Sequence, residues 1–466
     1  MVERWQNQEE AYQFATQHDA VMLDMDMGTG KTRVVIDVVF ARSDVHHVLV
    51  VCPKAVVPVW RVNLEKFAVP GSYSILERGN ESIKDLAGKV TEFFKNGLDK
   101  RFFVVNYDVL WRDPLGDAVY KRTGLDMVIL DESHRIKSAG SKISKYLAML
   151  GKKVKYKMCL SGTPMANSPL DVYGQYRFLD PSIFGTNHTV FLSKYAIMSC
   201  TTPPFVVGCK NLQELNSRFS SIAYTCKMSD IQDRLKLPEE LPPNVIKLSL
   251  SAKDYTTCKA LNKEFIAECK SGQYIVLNNV LGKVLRLQQI TSGFCVAQAN
   301  PEDNPTEVEL NHVKSDALKE LLQDTDRNEK VVVFCVFKHD IKAVHDVCHS
   351  LGIASFELSG RVNTFGAWRE YQGGGVIAVQ IQAGAEGIDM TCARVCVYYG
   401  LPHSLALYEQ SKARLYRPGQ KRRVLFNYLV CQKTIDELIF NTLNNKRDLI
   451  AEVKSGNVDL GYLKSK

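Results

Sequence analysis

The chain has 466 residues, 45% apolar, 24% charged and 9% aromatic, which excludes a disordered or fibrous protein and provides for two or three hydrophobic cores. Its longest apolar run, Val331 to Phe337, falls far short of the roughly 20 residues that cross a bilayer, and Met1 to Glu10 lacks signal-peptide character, so a cytoplasmic protein with no membrane partner is expected. The 59 basic and 51 acidic residues leave a net charge of +8, which favours an anionic partner, and the 13 cysteines lack a repeated pair spacing and read as thiols in a reducing compartment.

In chain order, short β-branched runs first alternate with amphipathic stretches: Val21 to Leu23, Thr32 to Phe40, His47 to Val51, Phe102 to Val105 and Met127 to Leu130. This rhythm predicts βα units on a parallel sheet. Between residues 165 and 300 the pattern becomes mostly helical, over Asp171 to Leu179, Leu212 to Phe219, Ala252 to Cys269 and Val276 to Ile290. It is broken by Leu237-Pro-Glu-Glu-Leu-Pro-Pro-Asn244, where each proline disfavours helix at the residue before it. A lobe boundary is placed there, giving 1–236, with a helical protrusion over 165–236, and 237–466. The strand rhythm returns in Lys330 to Phe337, Val376 to Val379, Val395 to Tyr399 and Val424 to Val430. Thr434 and Glu437 then form a capping box ahead of Ile435, Leu438, Ile439, Leu443, Leu449, Ile450 and Val453 at helical spacing, a helix expected to pack back on the body. The fold class is α/β: two tandem lobes with parallel sheets and helical insertions between them.

Gly28-Thr29-Gly30-Lys31-Thr32 lies between a strand and a helix, the context of a phosphate-binding loop. There, glycines let backbone N–H groups approach phosphates, Lys31 reaches the outer phosphates, and the Thr32 hydroxyl suits Mg²⁺. Met25 stands where the general pattern has its first glycine. Met127-Val-Ile-Leu-Asp131-Glu132-Ser133-His134 delivers two adjacent carboxylates at the end of an apolar strand. Asp131 is assigned to the Mg²⁺ shell, Glu132 to orienting and deprotonating the attacking water. Cys392, Cys396 and His403, and likewise His345, Cys348 and His349, lack a second pair at ligand spacing and read as ordinary side chains. Trp60, Trp111 and Trp368 read as packing residues.

With Ser161-Gly-Thr-Pro164 following in order, these segments resemble motifs I, II and III of superfamily 2 helicases and translocases. Trp5-Gln-Asn-Gln8 is similar to that family's adenine-reading segment, which makes Gln8 the reader. Cys52-Pro-Lys54 to Trp60 resembles motif Ia and Val105-Asn106-Tyr107 motif Ib, implying that Lys54, Asn106 and Tyr107 hold the sugar-phosphate backbone of one strand. In Gln410-Ser-Lys-Ala-Arg414-Leu-Tyr-Arg417-Pro-Gly-Gln420, the two arginines sit on one helical face and fit arginine fingers for the γ-phosphate. The Arg-Pro-Gly-Gln ending resembles motif VI of the Swi/Snf-type branch. Gln382-Ala-Gly-Ala-Glu386-Gly387-Ile-Asp389 resembles motif V without the usual Ser or Thr near its start. This implies a strand contact at Gln382 and nucleotide contacts at Gly387 and Asp389. Val331 to Lys338 resembles motif IV, with Lys338 on nucleic acid, and Leu285 to Phe294, Leu358-Ser-Gly360 and the brace-like segment Thr434 to Arg447 agree with the branch.

The resemblance implies RecA-like lobes, ATP and Mg²⁺ as cofactors, and hydrolysis coupled to movement of a monomer along duplex DNA. ATP held by Lys31, Arg414 and Arg417 would tie hydrolysis to lobe closure. Contacts to the phosphate backbone imply little sequence preference. A strand-separating or branch-migrating helicase of the same superfamily is the alternative. A third reading, an ATP-gated clamp without turnover, is disfavoured by the intact set Lys31, Asp131, Glu132, Arg414 and Arg417. With no stretch left for a reader domain, a bare motor of bacterial or phage size is expected.

Overall fold

Valine, isoleucine, leucine and phenylalanine in unbroken runs build strands buried on both faces, which is what a parallel sheet covered by helices requires. The computed structural model describes residues 3–95, 100–122, 124–165, 168–199, 206–231, 237–256, 277–297, 306–384, 388–445 and 449. Contacts divide the chain into two units, Met1–Lys236 and Leu237–Lys466.

The first unit contains β1 (Ala20–Met25), β2 (His47–Cys52), β3 (Tyr73–Glu77), β4 (Lys100–Asn106), β5 (Met127–Asp131), β6 (Tyr156–Ser161), β7 (Ala196–Met198), β8 (Val206–Cys209) and β9 (Ala223–Cys226). Seven of them form one sheet in the order β3-β4-β2-β5-β6-β1-β9, parallel at every pairing. Successive side chains on β2 alternate between two cores: Leu49 and Val51 enter one with Phe103 and Leu130, while Val48 and Val50 enter the other with Trp60 and Ile129. Each such side chain contributes about 1.5–3 kcal/mol on leaving water. The order β5-β6-β1 sets three strand ends side by side, with Asp131 opposite Leu160 and Asp24 opposite Ser161.

The second unit contains β10 (Asn244–Leu248), β11 (Phe294–Ala297), β12 (Thr306–Glu309), β13 (Lys330–Cys335), β14 (Ser355–Leu358), β15 (Gly375–Gln380), β16 (Val395–Tyr398) and β17 (Leu425–Cys431). Its six-stranded sheet runs β10-β17-β16-β13-β15-β14, again parallel throughout. The architecture is therefore the α/β class expected from the sequence, two tandem lobes on parallel sheets.

Among the described residues between 165 and 300 the pattern is mostly helical, as expected, and short strands that the pattern did not predict are added to it. Helices Val172–Leu179, Leu212–Ser220 and Leu277–Thr291 are present, and most of the expected helix Ala252 to Cys269 lies outside the described residues. The same stretch also contributes β9 as an edge strand on β1 and β10 as an edge strand on β17. Ala-Tyr-Thr-Cys and Asn-Val-Ile-Lys-Leu are rich in β-formers but too short to display a period. β7 and β8 add an antiparallel pair with a register shift between Ile197 and Met198.

At the tail, Thr434 Oγ1 accepts from Asp436 N at 3.2 Å and caps Ile435–Asn444. Glu437 reaches one residue beyond the cap, accepting from Lys433 N at 2.8 Å. Leu449 is buried; Ile450 and Val453 lie outside the described residues. Among the described residues no helix is long and apolar enough to cross a membrane.

Candidate nucleotide site

β1 ends at Met25, and after five intervening residues the helix Lys31–Ala41 begins. The turn between them needs Gly28 at φ 81° and Gly30 at φ 92°, backbone that glycine adopts without strain. A Cβ at Gly30 would also stand 2.1 Å from Gln8 Nε2, because the Gln6–Thr16 helix lays its polar side chains against the loop. Asn7 Nδ2 donates to Thr29 O at 3.1 Å and Gln8 Nε2 to the same carbonyl at 3.4 Å, while Gln8 Oε1 accepts from Trp5 N at 3.1 Å. Thr29 Oγ1 closes the loop onto Asp26 O at 2.7 Å. Lys31 Nζ donates to Met25 O at 2.7 Å and Asp26 O at 3.2 Å. Burial pulls the Lys31 pKa down against the opposing pull of Glu132, Asp131, Asp26 and Asp24. Thr32, half-buried, occupies the first helical turn.

Two strands away, β5 delivers Asp131 and Glu132 to the same edge of the sheet. Asp131 is fixed on three sides: Trp60 Nε1 donates to Oδ2 at 3.0 Å, Glu132 N to Oδ1 at 3.1 Å, and Tyr107 Oη to its carbonyl at 2.8 Å. Burial, then the Glu132 charge, push the Asp131 pKa up to about 6, with Lys31 and Trp60 opposing. Glu132 holds a left-handed backbone, φ 52°, a strained conformation for a residue with a side chain. Its Oε2 is buried without a hydrogen-bond partner among the described residues and lies 3.4 Å from His134 Nδ1. That same Nδ1 is 3.3 Å from Ser161 Oγ at the end of β6, so His134 connects the ends of β5 and β6.

Asp131, buried and with its pKa raised, beside Glu132 with its orphaned oxygen is short of positive charge, which is the environment a divalent cation fits; Thr32 and Asp131 are the residues that would hold Mg²⁺. Among the described residues no group of three or more His, Cys, Asp or Glu side chains is arranged to hold a metal alone.

Sequence reasoning missed two supporting side chains here. Trp60, read as packing, is buried but also donates to Asp131. Gln175, buried in the helix Val172–Leu179, accepts from Ser133 Oγ at 2.7 Å and donates to Pro164 O at 2.8 Å, joining the loops after β5 and β6. The available signal was a Gly-Gln pair between the aromatic residues Tyr173 and Tyr176 of this helix. A Cβ at Gly174 would sit 2.1 Å from Ile136 O, so glycine lets this helix lie directly on the loop.

In the second unit, the two arginines do not share a helical face as expected. The helix Leu405–Leu415 includes Arg414, which is buried, and ends before Arg417, because Pro418 disfavours helical backbone at the residue preceding it. Arg417 Nε is buried with no hydrogen-bond partner among the described residues. Gln420 holds the turn, donating to Thr391 O, Ala393 O and Leu415 O and accepting from Lys421 N and Arg422 N. Asp389 is exposed and caps Thr391, while Gly387 lies outside the described residues. Of the side chains assigned to nucleic acid, Lys54, Lys338 and Gln382 are exposed. Asn106 and Tyr107 are buried, and Tyr107 supports Asp131 from below.

Residues 1–293 match the SNF2-related domain. The chain belongs to the SNF2-related family. Residues 313–419 of this SNF2-family chain match the helicase conserved C-terminal domain. It is 24% identical to an uncharacterized ATP-dependent helicase of Mycoplasma pneumoniae over 92% of its own length and 39% of that protein. It is 25% identical to the DNA annealing helicase and endonuclease ZRANB3 of Mus musculus over 96% of its length and 40% of that protein. The SNF2-family chain thus spans well under half the length of these curated relatives. Among solved structures it is similar to the Sulfolobus solfataricus SWI2/SNF2 ATPase core in complex with dsDNA, at 22% identity and TM-score 0.44, covering 98% of this chain and 94% of that one.

Proposed function

We propose that this SNF2-family chain is a DNA-stimulated ATPase that couples hydrolysis to movement along duplex DNA. The observation that carries the ATPase part is the placement, at the ends of β1 and β5 on either side of β6, of a glycine loop with its lysine and a carboxylate pair whose Asp131 is buried. Lys31 exchanges two backbone carbonyls for the outer phosphates of ATP. Glu132, with an uncommitted oxygen, orients the attacking water and takes its proton. Thr32 and Asp131 would hold Mg²⁺, which would supply charge neutralisation on the phosphate oxygens. His134 couples Glu132 to Ser161, and Gln8 closes the loop's outer side against the base. Arg414 and Arg417 are the guanidinium groups assigned to charge developing on the γ-phosphate, and Gln420 fixes the turn that presents Arg417. DNA as the track is supported by family membership and by the similarity to ZRANB3, a DNA annealing helicase and endonuclease. Exposed Lys54, Lys338 and Gln382 are its candidate backbone contacts.

One observation favours strand separation as a second reading. The β7–β8 pair presents Ile197, Met198 and Val207 to solvent, apolar side chains of the kind that part base pairs.

Steady-state ATP hydrolysis at low salt, without nucleic acid and with single-stranded, duplex or forked DNA or RNA, tests the reading. Plain duplex is expected to stimulate most. Stimulation by forks or single strands alone would favour the second reading, and absence of turnover on every substrate would refute both.

A further inference from the structure

The phosphate loop is crowded with negative charge. Asp24, Asp26, Asp131 and Glu132 all act on Lys31, the one lysine assigned to the phosphates. A triphosphate entering such a site meets repulsion unless some of those carboxylates are neutralised. The structure contains a cation in position to do so, on a strand far away in sequence. β9 pairs with β1 in the register Asp24 to Thr225 and Met25 to Cys226, which sets Lys227, the next residue, beside the start of the loop. Lys227 Nζ lies 3.2 Å from Asp24 Oδ1 and 3.5 Å from Asp26 Oδ1. The same junction is stitched by backbone: Asp26 N donates to Cys226 O at 2.9 Å, and Met228 N donates to Asp26 Oδ2 at 2.9 Å. Thr225 Oγ1 adds a bond to Asp24 Oδ2 at 3.3 Å.

We propose that Lys227 is a positioning residue of the nucleotide site, neutralising Asp24 and Asp26 at the root of the loop so that Lys31 meets phosphate rather than those carboxylates. The proposal rests on the reading of Gly28 to Thr32 as the nucleotide site. Its electrostatics agree: burial lowers the Lys227 pKa, but Asp24 and Asp26 more than offset this and leave it raised. Asp24, itself buried, has its carboxyl pushed up by burial while Lys227 pulls it down. The Lys227 side chain is 44% exposed, so solvent screens part of the effect.

The test is binding of a fluorescent ATP analogue with Mg²⁺, together with KM and kcat for ATP, in the full chain. Lys227→Ala is expected to weaken binding and raise KM roughly fivefold or more with kcat little changed. Lys227→Arg should restore both, and Asp24→Asn in the Lys227→Ala background should recover part of the loss, since removing the stranded carboxylate relieves the repulsion. A purely structural role would lower the urea midpoint and kcat together, whereas the role proposed here raises KM with the urea midpoint and kcat held. If Lys227→Ala does not fold, Lys227→Met keeps most of the apolar stem without the charge and carries the same expectation. Wild-type affinity without the lysine charge, or a loss that neither Arg nor Asp24→Asn relieves, overturns the proposal. Lys31→Ala is the separate control: unaltered nucleotide binding there would overturn the nucleotide-site reading itself, whatever Lys227 does.

Discussion

Glu132→Gln is expected to lose ATP turnover by about 10² or more while still binding ATP. The substitution keeps shape and removes the proton acceptor. Nothing else at the strand ends can replace it. Asp131 has its carboxylate engaged by Trp60 Nε1 and Glu132 N, and His134 has Nδ1 turned to Glu132 Oε2 and Ser161 Oγ while burial lowers its pKa and so weakens it as a base. Affinity should survive because the contacts assigned to phosphate and base, Lys31, the loop backbone and Gln8, are untouched. Hydrolysis rates paired with fluorescent-nucleotide titration separate the two effects. Near-wild-type turnover would refute the role given to Glu132; loss of binding alongside turnover would assign it to holding the nucleotide instead.

The largest expected stability effect lies away from the nucleotide site. Lys314 and Asp436 form an ion pair at 2.7 Å with both side chains almost fully buried. Asp436 also accepts from Thr291 Oγ1 at 2.9 Å and Cys431 N at 3.3 Å, so one carboxylate joins three segments of the second lobe. Lys314→Met would strand that carboxylate with neutral donors, at a cost of about 3–5 kcal/mol, because an unpaired buried charge forfeits its hydration without compensation. Urea unfolding followed by circular dichroism reads this directly. The pH dependence has a definite sign. Burial lowers the Lys314 pKa, but Asp436 and its neighbours outweigh that and leave it above 10.5. A raised lysine pKa contributes stability that is fully present below the unfolded value and is lost as pH rises through the folded one. The wild type should therefore lose this increment only in strong alkali, and the variant should lack that alkaline loss. A variant within about 1 kcal/mol of wild type at neutral pH would show that the pair does little.

The central strands and the loop at Gly28 to Thr32 were legible because each carries a local pattern: continuous apolar runs, and glycines between a strand and a helix. Edge strands were not. β9 and β10 are short and gain their identity from β1 and β17, neighbours roughly two hundred residues distant in the chain. Pro418 was visible, and its effect on Arg417 was readable from steric restriction alone, yet the spacing of Arg414 and Arg417 invited a helical reading. Trp60, Gln175 and Lys227 support the site through contacts that no local period encodes. Tyr107 shows the converse: a motif position expected at the DNA surface is buried and used to hold Asp131.

The most direct measurement of the central claim is displacement of a third strand from a DNA triplex by the wild-type chain and Glu132→Gln, with and without ATP. Translocation along duplex predicts ATP-dependent displacement by the wild type and none by the variant. Robust DNA-stimulated hydrolysis with no displacement, or displacement that proceeds without ATP, would contradict it.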